Sequence, residues 1–595
     1  MTTTPSAAAP AGSPDPRGDR YKWVALSNTT VGVILATMDS SILLIAMPDI
    51  FRGIKLNPLD PSNSFYLLWM ILGFLVVTGV LVVSLGRLGD LFGRVRMYNL
   101  GFVIYTGASF LLAVDPLTGR AGATWLIVIR LLQGVGAAFL IANSAAILTD
   151  AFPTNQRGLA LGINNVAGIT GQFLGLVIGG VLAPIDWRLV FLVSVPFGLF
   201  GTVWAYLKLQ ERGVRNPAAI DWLGNLTFAI GLILIMVGIT YGIEPYGSQT
   251  MGWSSPEVLG ELIGGAAFLI LFLYVETRVA NPMFRLPLFR IRAFTFGVLS
   301  SFLAALARGG LMFMLIIWLQ GIWLPLHGYS FSQTPLWAGI YMLPLTLGML
   351  VAGPASGILS DRFGARPFAT GGMVVAATSF ILLEQLPIDF AYLAFAAILF
   401  LFGLAMGSFA SPNRAGVMNS LPAADRGAGS GMNSTFQNSA MVLSIGIFFT
   451  LMIAGLAAAL PTSMASGLTA HGVPAALATR LAHLPPVSIL FAAFLGYNPI
   501  QQLLGPRVLG ALSPANQALL TGREFFPQLI AAPFRNGLHE AFVFAIAGCL
   551  IAAVASWSRG RRYVDEGPRP VEAGARPPAP ASAGRPEPGG GPTDR

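Results

Sequence analysis

GRLGDLFGR, Gly86 to Arg94, returns later in the chain as GILSDRFGA, Gly357 to Ala365. Gly86 and Gly357, Leu88 and Leu359, Asp90 and Asp361, Phe92 and Phe363, and Gly93 and Gly364 are each 271 residues apart. A second set follows, in which Pro153, Arg157, Gly158, Gly162 and Asn164 recur as Pro422, Arg426, Gly427, Gly431 and Asn433, each 269 residues on. Two matches in the same order at nearly one interval mark an internal repeat, so the chain contains two copies of one multi-element unit.

The residues around these motifs say what the unit is made of. Of 595 residues, 54% are hydrophobic and only 10% are Asp, Glu, Lys or Arg, and the mean hydropathy is +0.70. A soluble protein carries roughly 25% charged residues, so this composition cannot cover a water-facing surface. A bilayer supplies the missing solvent. The single cysteine, Cys549, allows no internal disulfide. Soluble domain, disulfide scaffold and disordered chain are excluded together. The net charge of +9 is almost all arginine, with Lys22, Lys55 and Lys208 the only lysines. It reads as the basic bias of cytoplasmic loops and not as a nucleic-acid footprint.

A span needs about 20 mainly apolar residues. Fourteen stretches qualify: 24–47, 67–86, 98–114, 124–148, 158–183, 189–207, 222–243, 257–275, 295–319, 336–359, 368–386, 391–411, 431–457 and 538–557. Alternate loops carry the basic residues, among them Arg87, Arg94, Arg96, Arg157, Arg285, Arg290, Arg362, Arg366, Arg414 and Arg426. The opposite loops carry only Arg52, Lys55, Arg120 and Arg188. This asymmetry places both termini in the cytoplasm. Residues 1–22 read as a polar tail without a signal peptide, and 558–595 as a disordered, Pro- and Gly-rich tail. Residues 458–537 form a long outer loop, whose apolar stretch Val487 to Tyr497 is too short to cross and reads as re-entrant or interfacial.

Each repeated motif falls at the same place in its set of spans, so the two sets share one orientation. The expected fold is an all-α integral membrane protein: a six-helix bundle over 23–210, a two-helix insert over 211–280 and a second six-helix bundle over 281–557.

GRLGDLFGRVR resembles the loop between helices 2 and 3 of the major facilitator superfamily, and in particular of its fourteen-helix drug:proton antiporter family. MDSSILLIAMP (Met38 to Pro48), RLLQGVGAA (Arg130 to Ala138), DWRLVFLVSVPFG (Asp186 to Gly198) and NPMFRLPLFRIRAF (Asn281 to Phe294) resemble that family's other motifs, in order and at the expected spans. The likeness covers nearly all of residues 20–560. Two departures stand out. Leu91 occupies a position that is usually basic, and helix 5 has Gly171-Gln172 where the family has Gly-Pro. The resemblance implies a major facilitator fold and a proton-coupled multidrug exporter working by alternating access.

Charges within spans are costly and mark function by default. Asp39, Arg130 and Arg308 are the candidates for proton coupling and the substrate cavity. A structural hydrogen-bond role is the alternative for Asp39, and snorkelling to the headgroups is the alternative for Arg130. Since 308 minus 269 is 39, Arg308 sits opposite Asp39 in the pseudo-symmetric helix, and the two are expected to face one cavity. Gly86, Asp90, Gly93 and Arg94, with Gly357, Asp361, Arg362 and Gly364, are expected to form gate turns that pair across the halves. Gly168, Gly171, Gly175 and Gly179 allow close packing of helix 5. His327, His471, His483 and His539 fit no zinc site, and there is no phosphate loop for ATP. No cofactor or metal is expected.

The function expected is export of lipophilic small molecules in exchange for protons across a bacterial cytoplasmic membrane, by a monomer surrounded by lipid. The chain is not expected to be an enzyme. Export of a lipid, siderophore or other cell-envelope metabolite is the alternative, and a non-transporting sensor a remote one. Because the spans hold more arginine than carboxylate, an anionic or zwitterionic lipophile is a further alternative to the family's cationic drugs.

Overall fold

The computed structural model describes residues 16–560, apart from 58, 154–155, 212–220, 248, 423–424 and 497. Both expected chain ends therefore lie largely outside the described residues. Fourteen long helices build the body. They are α1 (Pro16–Gly53), α2 (Ser64–Phe92), α3 (Arg94–Ala113), α4 (Gly119–Ala151), α5 (Arg157–Leu182) and α6 (Leu189–Leu192 with Ser194–Lys208). The insert is α7 (Trp222–Gly242) and α8 (Pro256–Glu276). There follow α9 (Arg292–Ile317, continued through the π turn Trp318–Trp323 to Leu326) and α10 (Thr334–Tyr341 with Leu343–Phe363). The last four are α11 (Ala365–Gln385), α12 (Tyr392–Asn419), α13 (Arg426–Ala470) and α14 (Phe525–Ser558).

Thirteen of these are long and apolar enough to cross a bilayer unaided. The exception is α3, which opens on Arg94 and Arg96 but buries Tyr98, Phe102 and Tyr105 completely. Outward faces are apolar; on α6, Phe197, Leu199, Phe200 and Val203 are all exposed. Such a continuous apolar belt needs lipid to cover it.

The repeat is visible in the packing. In the first half α1 packs on α5, α2 and α3 on α4, and α3 on α6; in the second, α9 packs on α13, α10 and α11 on α12, and α11 on α14. Each contact recurs eight helices later. The two glycine turns also match: Gly93 (φ 110°) joins α2 to α3, and Gly364 (φ 84°) joins α10 to α11. A side chain there would be strained, which explains the glycine in both copies. Gly357 approaches Ser411 of α12, whereas Gly86 has ordinary room beside Ala142. The halves meet along α2 and α13, at Gly79 with Asn438, and along α5 and α10, at Gly180 with Leu336. The insert pair α7–α8 leans on the first of these seams.

Two boundaries differ from the sequence reading. Residues 16–22 belong to α1 and not to a tail. The supposed loop 458–537 is mostly helical, because α13 runs on unbroken through Pro461 to Ala470 and α14 begins early, at Phe525, and runs through Pro533. Between them the helices Ala475–Ala482 and Pro486–Phe494 meet at an 84° bend. Pro486–Phe494 is buried along its whole length against α13 and the π turn of α9. At nine residues it is too short to cross a bilayer by itself.

On α5, Gly168, Gly171, Gly175 and Gly179 all face α1, where backbone and side-chain atoms of Ile34, Thr37, Met38 and Ile42 leave no space for a Cβ at the last three. Gly175→Val should therefore cost roughly 1–3 kcal/mol, the usual penalty for overpacking, read as a lower midpoint of thermal unfolding in detergent. Gly162→Ala meets nothing within 4 Å and should be neutral or stabilising.

Candidate functional site

Asp39 in α1 and Arg130 in α4 form an ion pair in the interior, at 0% and 1% exposure. Gln133, one turn beyond Arg130, grips both partners. Its Oε1 accepts from Arg130 Nη1 at 2.9 Å, and its Nε2 donates to Asp39 Oδ1 at 3.1 Å and to Ser109 Oγ of α3 at 2.9 Å. Arg130 Nε donates to the Met70 carbonyl of α2 at 3.3 Å, and its guanidinium lies 4.7 Å over the Phe74 ring. Four helices thus meet on one pair.

This sets aside snorkelling, the alternative reading of Arg130, and corrects one expectation: the partner of Asp39 is Arg130, not Arg308. The numerical symmetry of Asp39 and Arg308 is real, but α1 packs on α4 and α5 of its own half and touches α9 little. Equivalent positions in two halves need not touch each other.

Arg308 instead lines a cavity between the halves, with Ser40, Ser41 and Phe74 from α1 and α2, Arg130 from α4, Gln172 from α5, and Met312, Phe313, Thr346, Met349 and Met441 from α9, α10 and α13. The cavity is narrow in this state, with a volume of about 50 Å³. The one polar contact of Arg308 is with Met441 Sδ, at 3.9 Å. No described carboxylate lines the cavity. Gln172 stands where the family's proline would be, so the departure in helix 5 delivers an amide to the cavity wall. On the side toward 458–537, Phe313 packs against Phe449 at 4.5 Å and Phe494 at 4.9 Å between ring centres. The helix Pro486–Phe494 thus packs against the cavity-lining Phe313.

The first gate turn pairs within its own half. Arg94 bridges Asp90 at 2.8 Å and Asp150 of α4 at 2.7 Å. Glu211, just after α6, accepts from the Arg94 and Val95 N–H groups at 2.8 and 3.1 Å, capping α3. Four peptide units at the start of a helix need such partners, and Glu211 is near enough to serve. In the second turn Arg362 is exposed, and the Asp361 side chain lies outside the described residues. The link between halves comes from Arg87, which donates to the carbonyls of Asn281, at 2.9 Å, and Pro282. Reading the sequence overlooked Gln133, Ser109, Asp150 and Glu211. Gln133 was visible inside RLLQGVG, but nothing in one sequence shows that a span-end Asp150 or Glu211 folds back onto the turn.

Two like bundles enclosing a mid-depth cavity define a membrane transporter rather than an enzyme. The chain matches the Major Facilitator Superfamily over residues 29–445 and belongs to it. It is 28% identical over 435 residues to a riboflavin transporter of Clostridioides difficile, covering 72% of this chain and 88% of that one. It is 26% identical over 548 residues to a tetracenomycin C resistance and export protein of Streptomyces glaucescens, covering 91% and 93%. Among solved structures, a bacterial homologue of the human lysosomal transporter Spinster, inward-facing and unoccupied, superposes with a TM-score of 0.53 at 16% identity, covering 92% of this chain and 98% of that one.

Breaking a buried pair by removing one partner costs roughly 3–5 kcal/mol, because the other charge is left without compensation. Arg130→Leu should accordingly destabilise the protein far more than Asp39→Asn with Arg130→Leu together. A double-mutant cycle on detergent unfolding reads the coupling; additive losses would mean the pair is not energetically linked.

Proposed function

We propose that the protein is a proton-coupled exporter of lipophilic small molecules, and that its preferred cargo carries an anionic or zwitterionic group. The observation that carries this reading is Arg308, a cation in an otherwise mainly apolar cavity between the halves with no carboxylate partner. A guanidinium at mid-depth is costly, and a cargo anion offsets that cost. The aromatic and methionine walls supply adaptable apolar contact for the rest of the molecule. Relatives named for riboflavin, for tetracenomycin C and, in Bacillus subtilis, for multidrug transport support a small-molecule cargo.

The Asp39–Arg130 pair is the proton site in this reading. A proton on Asp39 removes the negative member, and Arg130, which also borders the cavity, loses its main partner. The pair is therefore the place where one proton changes the charge felt by the cargo. The arginine-rich loops argue for a bacterial cytoplasmic membrane with both termini inside. One proton entering down 100 mV releases about 2.3 kcal/mol, roughly a forty-fold gradient of a neutral cargo. If a monoanion leaves as the proton enters, two charges move with the field, and the drive doubles to about 4.6 kcal/mol.

Transport into inverted vesicles, with a pH step and a potential imposed separately, tests the coupling. Asp39→Asn should abolish the pH-driven component; undiminished pH-driven transport would remove Asp39 from that role. Cargo charge has its own test. Arg308→Gln should lower transport of a carboxylate dye about tenfold or more, the loss of one charge-assisted hydrogen bond, and leave a cationic dye unchanged or faster. Equal losses for both dyes would refute charge selection at Arg308.

A further inference from the structure

The two glycine turns end differently at the arginine-rich face. In the first half Glu211 closes the N-terminus of α3. The counterpart after Gly364, the N-terminus of α11, begins on a glycine that has no side chain to cap it, and no described side chain accepts from its first N–H groups. Arg559, one residue past α14, stands there. Gly416 of α12 packs between them, since a methyl group in its place would lie 2.9 Å from Arg559 Nη1 and 3.3 Å from the Ala365 Cβ.

Arg559 is 7% exposed. Its Nη2 donates to Asn413 Oδ1, but Nε and Nη1 are buried and have no partner. Asn413 is committed elsewhere, donating to Ser301 Oγ at 2.7 Å and the Gly297 carbonyl at 3.1 Å. Arg366, second residue of α11, lays its guanidinium 3.7 Å over the Trp557 ring, and its Nε is likewise buried and unsatisfied. Arg292 of α9 ties in through the Ser558 carbonyl at 2.8 Å. None of Arg292, Arg366, Arg414 and Arg559 forms an ion pair with a described carboxylate. Burial alone pushes the Arg559 guanidinium down to about 10. Buried donors without acceptors are costly, and three of them belong to residues at or packed beside the start of α11, whose first N–H groups are open.

We infer that the N-terminus of α11 with Arg559 and Arg366 is a binding site for the phosphate of an anionic lipid headgroup. A tetrahedral oxyanion suits helix N–H groups and forked guanidinium donors together. Free phosphate has the same chemistry, but the surroundings favour a lipid. Trp557 and Val554 are 58% and 66% exposed on the outer face of α14, so acyl chains can lie beside the site. Basic pockets between spans on the cytoplasmic side are where anionic headgroups lodge. The bound phosphate would staple α11 to α14 and, through Arg292, to α9.

The test uses the full-length protein in nanodiscs of phosphatidylcholine alone, phosphatidylcholine with phosphatidylglycerol, and phosphatidylcholine with inorganic phosphate in solution. Phosphatidylglycerol should raise the unfolding midpoint by several degrees in the wild type, since a ligand of the native state stabilises it. The shift should vanish in Arg559→Gln and shrink in Arg559→Lys. Because each variant is compared with itself between lipids, a general loss of stability does not mimic the result. Arg366→Gln, at a half-buried position, serves if Arg559→Gln does not fold, and native mass spectrometry should show one retained phosphatidylglycerol lost from it. A shift of equal size in every variant, or no shift in the wild type, would overturn the proposal. So would inorganic phosphate alone reproducing it, which would make the site one for a free anion.

Discussion

A carboxylate and a guanidinium can sit at mid-depth in a bilayer only if each compensates the other, and the Asp39–Arg130 pair is where the fold satisfies that demand. Gln133 donates to one partner and accepts from the other, Ser109 anchors Gln133, and the Met70 carbonyl holds the remaining guanidinium edge. These groups come from α1, α2, α3 and α4, so the register of four helices is fixed by one charge pair. Replacing such a pair with apolar residues often costs little stability, so its value here lies in registry. The glycines of α5 complete the arrangement by letting α1 pack close from the other side.

The second half keeps the helices and drops the pair. Where α9 passes the centre, Ser444 of α13 bonds the α9 backbone, accepting from the Gly310 N–H at 2.7 Å and donating to the Leu306 carbonyl. This neutral contact holds α9 to α13 without a buried ion. It also leaves Arg308 free to turn toward the cavity. One half supplies a buried ion pair, the other a lone cation, and the cavity lies between them. The functional asymmetry is thus one of side chains on a nearly symmetric backbone.

How much of this was legible in the sequence follows from the range of the forces involved. Spans, repeat and family rest on composition and local motifs, and residues such as Gly93 and Gly364 announce themselves because steric rules about backbone angles are local. Helix ends were less legible: the spans read as 431–457 and 538–557 extend into the supposed loop through Pro461 and Pro533, because long helices tolerate proline where neighbours meet the freed carbonyls. The candidate charges were found because intramembrane charge is rare, but their partners were not. Numerical symmetry pointed Asp39 at Arg308, whereas tertiary packing gave it Arg130. Pairing between spans is set by helix rotation, and one sequence with a weak amphipathic pattern says little about rotation when lipid and core are equally apolar.

The turns at the arginine-rich face extend the same logic to the membrane surface. Both need glycine, because both reverse the chain with a positive φ. Neither needs a particular charge beside it, because near the headgroups a helix N-terminus can be satisfied by a side chain or by something from outside. The first turn uses Glu211 and closes its account within the protein. The second places Arg559 and Arg366 where a carboxylate would have served, and so adds positive charge to a helix end that already repels it. An anion would offset that charge, and the bilayer is the nearest source of one. Positions where the halves agree therefore define the scaffold, while those where they differ carry the charges that set one half apart from the other.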